Sequence, residues 1–138
     1  MRMPGRRMAL AVLAVTLAAC TSAPPQPPAT AIPITSFQQV AGKWEGTVVG
    51  IPGKSKDEGD WIDVTIAQDG SFNFNVVRQI GVFGGKGQFA IKDGKLTSET
   101  QHGSATFTLS SRGEKQSLRG EGVLDTYMNT TLDLARAK

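Results

Sequence analysis

Apolar and polar residues alternate along most of the chain after about residue 44, and a period of two is typical of half-buried β-strands. The alternation is clearest over residues 62–67 and 72–77, and it recurs over 105–109 and 118–124. No segment shows a sustained apolar stripe with the 3.6-residue period of a helix. The pattern therefore predicts an all-β domain.

Turn signals between these runs set the number of strands. Asp-Gly pairs at residues 69–70 and 93–94 predict tight hairpins, and a further turn is predicted at 111–115. Residues 79–85 are predicted to be a long connection, with a flexible glycine-rich loop at 84–87. The result is eight short strands. We expect a small eight-stranded antiparallel up-and-down barrel, because closure removes exposed sheet edges.

The inward positions of such a barrel are mostly occupied by large apolar side chains. Small or polar residues stand at the remaining inward positions, namely Gly46, Gly87, Ser98, Thr100, Ala105, Gly120 and Gly122. An eight-stranded barrel has an interior just wide enough to be filled by side chains or to hold one small ligand. We expect a mostly filled interior, with an open cup as the alternative.

The first strand is introduced by a recognisable local pattern. Ser36 and Gln39 fit a capping box, which predicts a single helical turn at residues 36–40. Gly42 then allows the chain to reverse, and Trp44 begins the first extended run.

This opening resembles that of the lipocalins and the wider calycin group, in which an aromatic residue, a short turn and Gly-x-Trp lead into the first strand. The resemblance covers Gly42, Trp44 and Arg136. It implies a cation–π contact of Arg136, just past the last strand, with Trp44 of the first. It also implies a carrier of a small apolar molecule. The domain is shorter than a typical lipocalin, and no second lipocalin motif is found.

The first 20 residues have the pattern of a bacterial lipoprotein leader. A basic start with three arginines precedes an apolar run over residues 8–19, which is too short to span a bilayer. Residues 17–20, Leu-Ala-Ala-Cys, match the lipobox. We expect residues 1–19 to be a signal peptide and Cys20 to be lipidated; an ordinary secretory signal is the alternative. Thr21 carries no Asp-type retention signal, which favours the outer membrane, facing the periplasm.

Residues 20–35 are expected to be a tether between the lipid and the domain. The segment 21–35 contains five prolines and no charged residue, a composition typical of a semi-rigid, partly polyproline II spacer. The β-barrel domain is then expected over residues 36–138.

Net charge gives no support for a nucleic-acid partner. The whole chain has 15 Lys and Arg against 12 Asp and Glu. Removing the three arginines of the leader leaves 12 against 12, so the expected mature chain has a formal net charge of zero. The basic character belongs to the leader.

Signals for catalysis are nearly absent. His102 is the only histidine and Cys20 the only cysteine, and no nucleophile or phosphate-binding motif is found. Asp57, Glu58 and Asp60 lie in a predicted loop, and we interpret them as a solvated charged loop in preference to a calcium site. We therefore expect no enzyme, no metal and no cofactor.

The function expected from these patterns is that of a membrane-anchored, non-catalytic binding module of the envelope. The tight turns and both termini lie at one end of the predicted meander, so the long connections should lie at the other end, away from the membrane. That end gathers the candidate contact residues Trp61, Arg78, Ile80, Val82, Phe83, His102, Tyr127 and Met128. A partner there would be another envelope protein. Alternatively, Val82 and Phe83 fold inward as a plug, or the barrel carries a small hydrophobic ligand.

Overall fold

The computed structural model of the chain describes residues 22–51, 58–100, 103–124 and 128–138. Within these ranges the chain forms ten β-strands and one short 3₁₀ helix, Phe37–Gln39. The strands are β1 (Thr30–Ile32), β2 (Gly42–Val49), β3 (Asp60–Ile66), β4 (Ser71–Arg78), β5 (Gly81–Gln88), β6 (Ala90–Lys92), β7 (Lys95–Thr100), β8 (Gly103–Arg112), β9 (Lys115–Leu124) and β10 (Met128–Arg136). In the described part of the chain, no helix has the length and apolar character needed to span a membrane.

The strands form one antiparallel sheet, which confirms the all-β prediction. Nine of them follow each other in the order β5-β4-β3-β2-β10-β9-β8-β7-β6. The prediction of eight strands in a closed barrel is wrong. The sheet curls into an open half-barrel whose two outer strands, β5 and β6, do not pair with each other.

β5 is the strand that the sequence pattern missed. Residues 79–85 were predicted to be a long connection, but only Gln79 and Ile80 form a turn, and β5 returns antiparallel to β4. The register places Gly87 opposite Phe72, and a Cβ on Gly87 would lie 2.7 Å from the tip of the Phe72 ring. The glycines weaken the strand pattern, yet they make room for the phenylalanine rings of β4.

The sheet remains open because its two edges are consecutive in the chain. Only Phe89 separates β5 from β6; its side chain is buried, and its N–H donates to the carbonyl of Gly70 at 2.9 Å. β5 then pairs with β4, whereas β6 pairs with β7 from Ala90↔Thr97 to Lys92↔Lys95. The two edges therefore meet at Phe89, but they are not hydrogen-bonded to each other.

The end of the predicted tether is part of the sheet. Residues 30–35 were predicted to belong to the tether, but β1 pairs with β8 from Thr30↔Ser111 to Ile32↔Leu109. This is the part of the β8 edge that β7 does not reach, since the β7–β8 pairing ends at Leu96↔Phe107. Ile34, just after β1, is fully buried in the core.

Trp44 lies at the centre of the filled end of the half-barrel. Its side chain is fully buried, and its indole Nε1–H donates to the carbonyl of Val40 at 2.8 Å. The guanidinium of Arg136 lies 4.4 Å from the centroid of the Trp44 ring, so the contact expected between these two residues is present. Arg136 also donates to the carbonyls of Ala41 at 2.8 Å and Gln39 at 2.7 Å. One side chain thus fastens the last strand to the segment before the first.

The 3₁₀ helix closes this end of the sheet. The side-chain oxygen of Gln39 accepts hydrogen bonds from the backbone N–H groups of Ser36 at 3.0 Å and Thr35 at 2.6 Å. These bonds satisfy donors that the start of a helical turn leaves unpaired. The Phe37 ring lies directly over Gly70, where a Cβ would come within 2.5 Å of it.

We predict that Trp44 and Arg136 stabilise the fold as a coupled pair. Trp44→Ala should lower the free energy of unfolding by about 3 to 5 kcal/mol, because it removes a large buried ring. Arg136→Ala should cost less, about 1 to 2 kcal/mol, and the double variant should cost less than the sum. Urea denaturation of the four proteins measures the coupling.

Arg119→Ala is the matched control, since Arg119 is exposed on β9 and lies 3.8 Å from Glu121. Its effect should add to that of Trp44→Ala. Strict additivity of Arg136→Ala with Trp44→Ala would contradict the coupling.

Candidate functional site

A cavity of about 470 Å³ lies inside the curled sheet. It is at the end where β2, β4, β7 and β9 finish, opposite the 3₁₀ helix. Its lining is mainly apolar and includes Val48, Ile62, Val64, Phe74, Val76, Phe83, Phe107 and Leu132. The expectation of a mostly filled interior therefore holds at the helix end, while the other end is hollow.

A row of small inward residues creates the hollow. Ser98, Ala105, Gly122 and Thr130 lie side by side on four neighbouring strands, β7 to β10. Four residues further toward the filled end, three of these strands, β8 to β10, place the leucines 109, 118 and 134 side by side. All three leucines are almost completely buried. Side-chain volume thus changes sharply along the strands, and the missing volume appears as the cavity.

Phenylalanine rings form the opposite wall and the floor. Phe74 and Phe83 line the cavity from β4 and β5. At the floor, the rings of Phe72 and Phe89 stack with centroids 4.1 Å apart, and Phe107 meets Phe89 edge-on at 5.4 Å. Such contacts hold ring orientations within a packed cluster. The cavity therefore has one aromatic wall, one flat wall of small residues and a fixed aromatic floor.

Hydroxyl groups supply the few polar atoms of the lining. Ser98 lines the cavity with only 7 % of its surface exposed, and its hydroxyl makes no hydrogen bond to another described residue. Thr130 lines it from β10. Thr100 also lines it, and its hydroxyl donates to the carbonyl of Gly103 at 3.3 Å. Apolar walls with a few polar groups are the usual construction of small-molecule sites.

An ion pair joins β3 and β4 at the same end of the sheet. Asp60 begins β3, where it alternates with inward-facing Ile62, and its carboxylate lies 3.1 Å from Nε of Arg78 at the end of β4. The interpretation of Asp60 as part of a solvated charged loop is wrong, because its side chain is 2 % exposed and that of Arg78 is 16 % exposed. Glu58 is exposed, and Asp57 lies outside the described residues. Burial is tolerated here because the two charges offset each other.

The residues predicted to form one contact patch divide between two faces and a turn. Trp61 and Val82 lie on the outward face, each paired with Val77 of β4, and all three are substantially exposed. Phe83 lies on the inward face, in register with buried Val76, and lines the cavity. Ile80 is in the turn and 92 % exposed.

Of the other predicted contact residues, the structure describes the side chain of Arg78 alone. Arg78 is engaged with Asp60. His102, Tyr127 and the side chain of Met128 lie outside the described part of the structure. The structure therefore brings together Trp61 and Val82, and it separates them from Phe83.

The row that opens the cavity was only partly visible in the sequence. Ser98, Ala105 and Gly122 were recognised as small or polar inward positions, but the register that places them side by side was not. Thr130 was missed, although it precedes Leu132 and Leu134 with the period of two. That alternation is the signal that would have placed it on the inward face.

Comparisons with family models, with curated proteins and with solved structures each return no match. The half-barrel is compatible with a calycin-like fold. Within the ranges that the structure describes, no group of three or more His, Cys, Asp or Glu side chains is arranged to hold a metal ion. The geometry of the cavity is therefore the basis for any assignment of function.

We predict that the Asp60–Arg78 pair contributes more to stability than an exposed pair does. Asp60→Ala should lower the free energy of unfolding by about 3 kcal/mol, because it leaves the Arg78 charge in a mostly buried position. Lys43→Ala, which removes an exposed pair with Glu45 at 2.7 Å, should have little effect on stability because solvent screens this pair. Urea denaturation compares the two. Equal costs would contradict a structural role for the buried pair.

Proposed function

We propose that this protein is a non-catalytic carrier of a small apolar ligand, which it holds in the open half of the barrel. The observation that supports this most directly is the apolar cavity of about 470 Å³. Ligand pockets typically have volumes of about 300 to 1,000 Å³ and mostly apolar walls. Leucines in place of Ser98, Ala105 and Thr130 would fill the cavity and stabilise the fold. Leucines 109, 118 and 134 do so four residues further along β8, β9 and β10.

The proposal includes an anchor in a bacterial envelope. The lipobox at residues 17–20 supports lipidation of Cys20, and the absence of an Asp-type signal at Thr21 supports the outer membrane, facing the periplasm. The domain begins at Thr30, which pairs with Ser111 close to the turn between β8 and β9. Since this turn and the cavity lie at opposite ends of the sheet, the cavity would open away from the membrane, where ligand can exchange.

A second candidate function is contact with an envelope protein through the outward face of β3 to β5. Trp61, Val77 and Val82 are 48 %, 45 % and 65 % exposed and lie in one row across the three strands. A cluster of exposed apolar side chains with an aromatic member is typical of interaction surfaces. This face and the cavity are on opposite sides of the sheet, so their roles can be separated by mutation.

We predict saturable binding of an apolar fluorescent probe, 1-N-phenylnaphthylamine, with one site per chain. Ala105→Leu should weaken this binding at least about tenfold, because the larger side chain occupies the cavity. It should not reduce stability, since it fills empty space in the core. Fluorescence titration and thermal unfolding measure the two effects.

Ala90→Leu is the matched control, because it makes the same change at an exposed position on β6. It should bind the probe as the parent protein does. If Ala105→Leu leaves binding intact while Val82→Ser abolishes it, the probe site is on the outward face and the carrier proposal fails.

We also predict that Cys20→Ala releases the protein from the membrane. Stable attachment requires two or more lipid chains, and a bacterial lipoprotein normally has three. Expression in a bacterium with labelled palmitate should give a labelled, membrane-bound parent and an unlabelled variant. An unlabelled parent, or unchanged partitioning of the variant, would contradict the anchor without affecting the cavity.

A further inference from the structure

We propose that the ligand is a flat, uncharged ring compound with one hydroxyl or carbonyl group, and that the Ser98 hydroxyl binds that group. The inference rests on the proposed carrier function and adds the chemical class of the ligand and the residue that selects it.

The shape of the cavity favours a flat ligand. Ala105 and Gly122 present little more than backbone on one wall, and the rings of Phe74 and Phe83 stand on the other. A planar ring can contact both walls over its whole surface, and aromatic side chains prefer offset-stacked or edge-on partners. A flexible chain would lose more conformational freedom for the same contact area.

The size of the cavity limits the ligand to a small one. A volume of about 470 Å³, filled at the density of a protein interior, holds roughly 25 non-hydrogen atoms. Two fused rings with one substituent meet this limit.

The charges near the cavity favour a neutral ligand. Lys86 is the only charged residue among those lining the cavity in the described ranges, and it is exposed. Arg78 is engaged with Asp60. Lys86 pairs with Asn73 and alternates with Gly85 and Gly87, which face the inward rings of Phe74 and Phe72, so it lies on the outward face of β5. A charged group inside the cavity would therefore have no inward-facing partner of opposite sign among the described residues, and burying an unpaired charge is costly.

Ser98 supplies the polar contact. Ser98 lines the cavity, and none of the hydrogen bonds among the described residues uses its hydroxyl. The hydroxyl oxygen is accessible from the cavity, because it is not among the fully buried atoms that lack a partner. A ligand hydroxyl or carbonyl beside it would form a direct hydrogen bond in an otherwise apolar site. Alanine would otherwise suffice at this position, as it does at the paired Ala105.

The test uses a matched pair of probes, 2-naphthol and 2-methylnaphthalene, which share a ring system and differ in the hydroxyl group. Both should bind the parent protein in fluorescence titrations. Ser98→Ala should weaken the binding of 2-naphthol about 3- to 10-fold, which is the effect expected for one lost hydrogen bond. It should leave the binding of 2-methylnaphthalene within about twofold. Ser98→Thr keeps the hydroxyl and should retain most of the preference for 2-naphthol.

Two further measurements complete the test. Thr106→Ala removes an exposed hydroxyl from β8 and should change the binding of neither probe. 1-Dodecanol, a flexible chain with the same polar group, should compete less well than 2-naphthol.

Each contrary result has a separate meaning. Equal effects of Ser98→Ala on both probes would overturn the role of Ser98, and stronger competition by 1-dodecanol would overturn the flat ligand; neither would affect the carrier proposal. If no naphthalene probe, 1-dodecanol or 1-N-phenylnaphthylamine binds the parent protein, the carrier proposal itself fails.

Discussion

The structure depends on one packing constraint, which is that three large inward rings each need a glycine on the next strand. Phe72, Phe74 and Phe107 face Gly87, Gly85 and Gly120, and a Cβ on any of these glycines would come within 3 Å of the ring. The rings can therefore lie flat along the sheet instead of forcing the strands apart. A ring held in this way also fixes the register, because a shift of one residue would turn it to the outer face.

The same distribution of volume divides the half-barrel into two functional parts. Toward the 3₁₀ helix, leucines and Trp44 fill the interior and support the fold. Toward the other end, Ser98 and its neighbours leave the interior hollow. The filled part contains most of the large buried side chains, so the hollow part is not needed to build the core.

Much of the fold follows from local signals, whereas the cavity does not. The alternation of residues 62–67, the Asp-Gly turns and the Trp44–Arg136 contact could all be predicted, because each depends on a short pattern or on pairing of the first and last strands. β5 could not be predicted, because its glycines weaken the strand pattern and are explained only by the phenylalanine rings of β4 that lie over them. Asp60 was misplaced for a similar reason, since its partner Arg78 lies 18 positions away. The row of small residues could not be predicted either, because its alignment depends on the pairing registers of four strands.

The position of β1 has a mechanical consequence for an anchored domain. A pull on the tether first reaches Thr30, whose strand is three residues long and pairs only with β8. β1 would therefore detach before the nine-stranded sheet is loaded. Its release would lengthen the tether by roughly 10 Å, while buried Ile34 still holds the chain to the core. β1 would then act as a weak link that yields under tension and leaves the sheet intact.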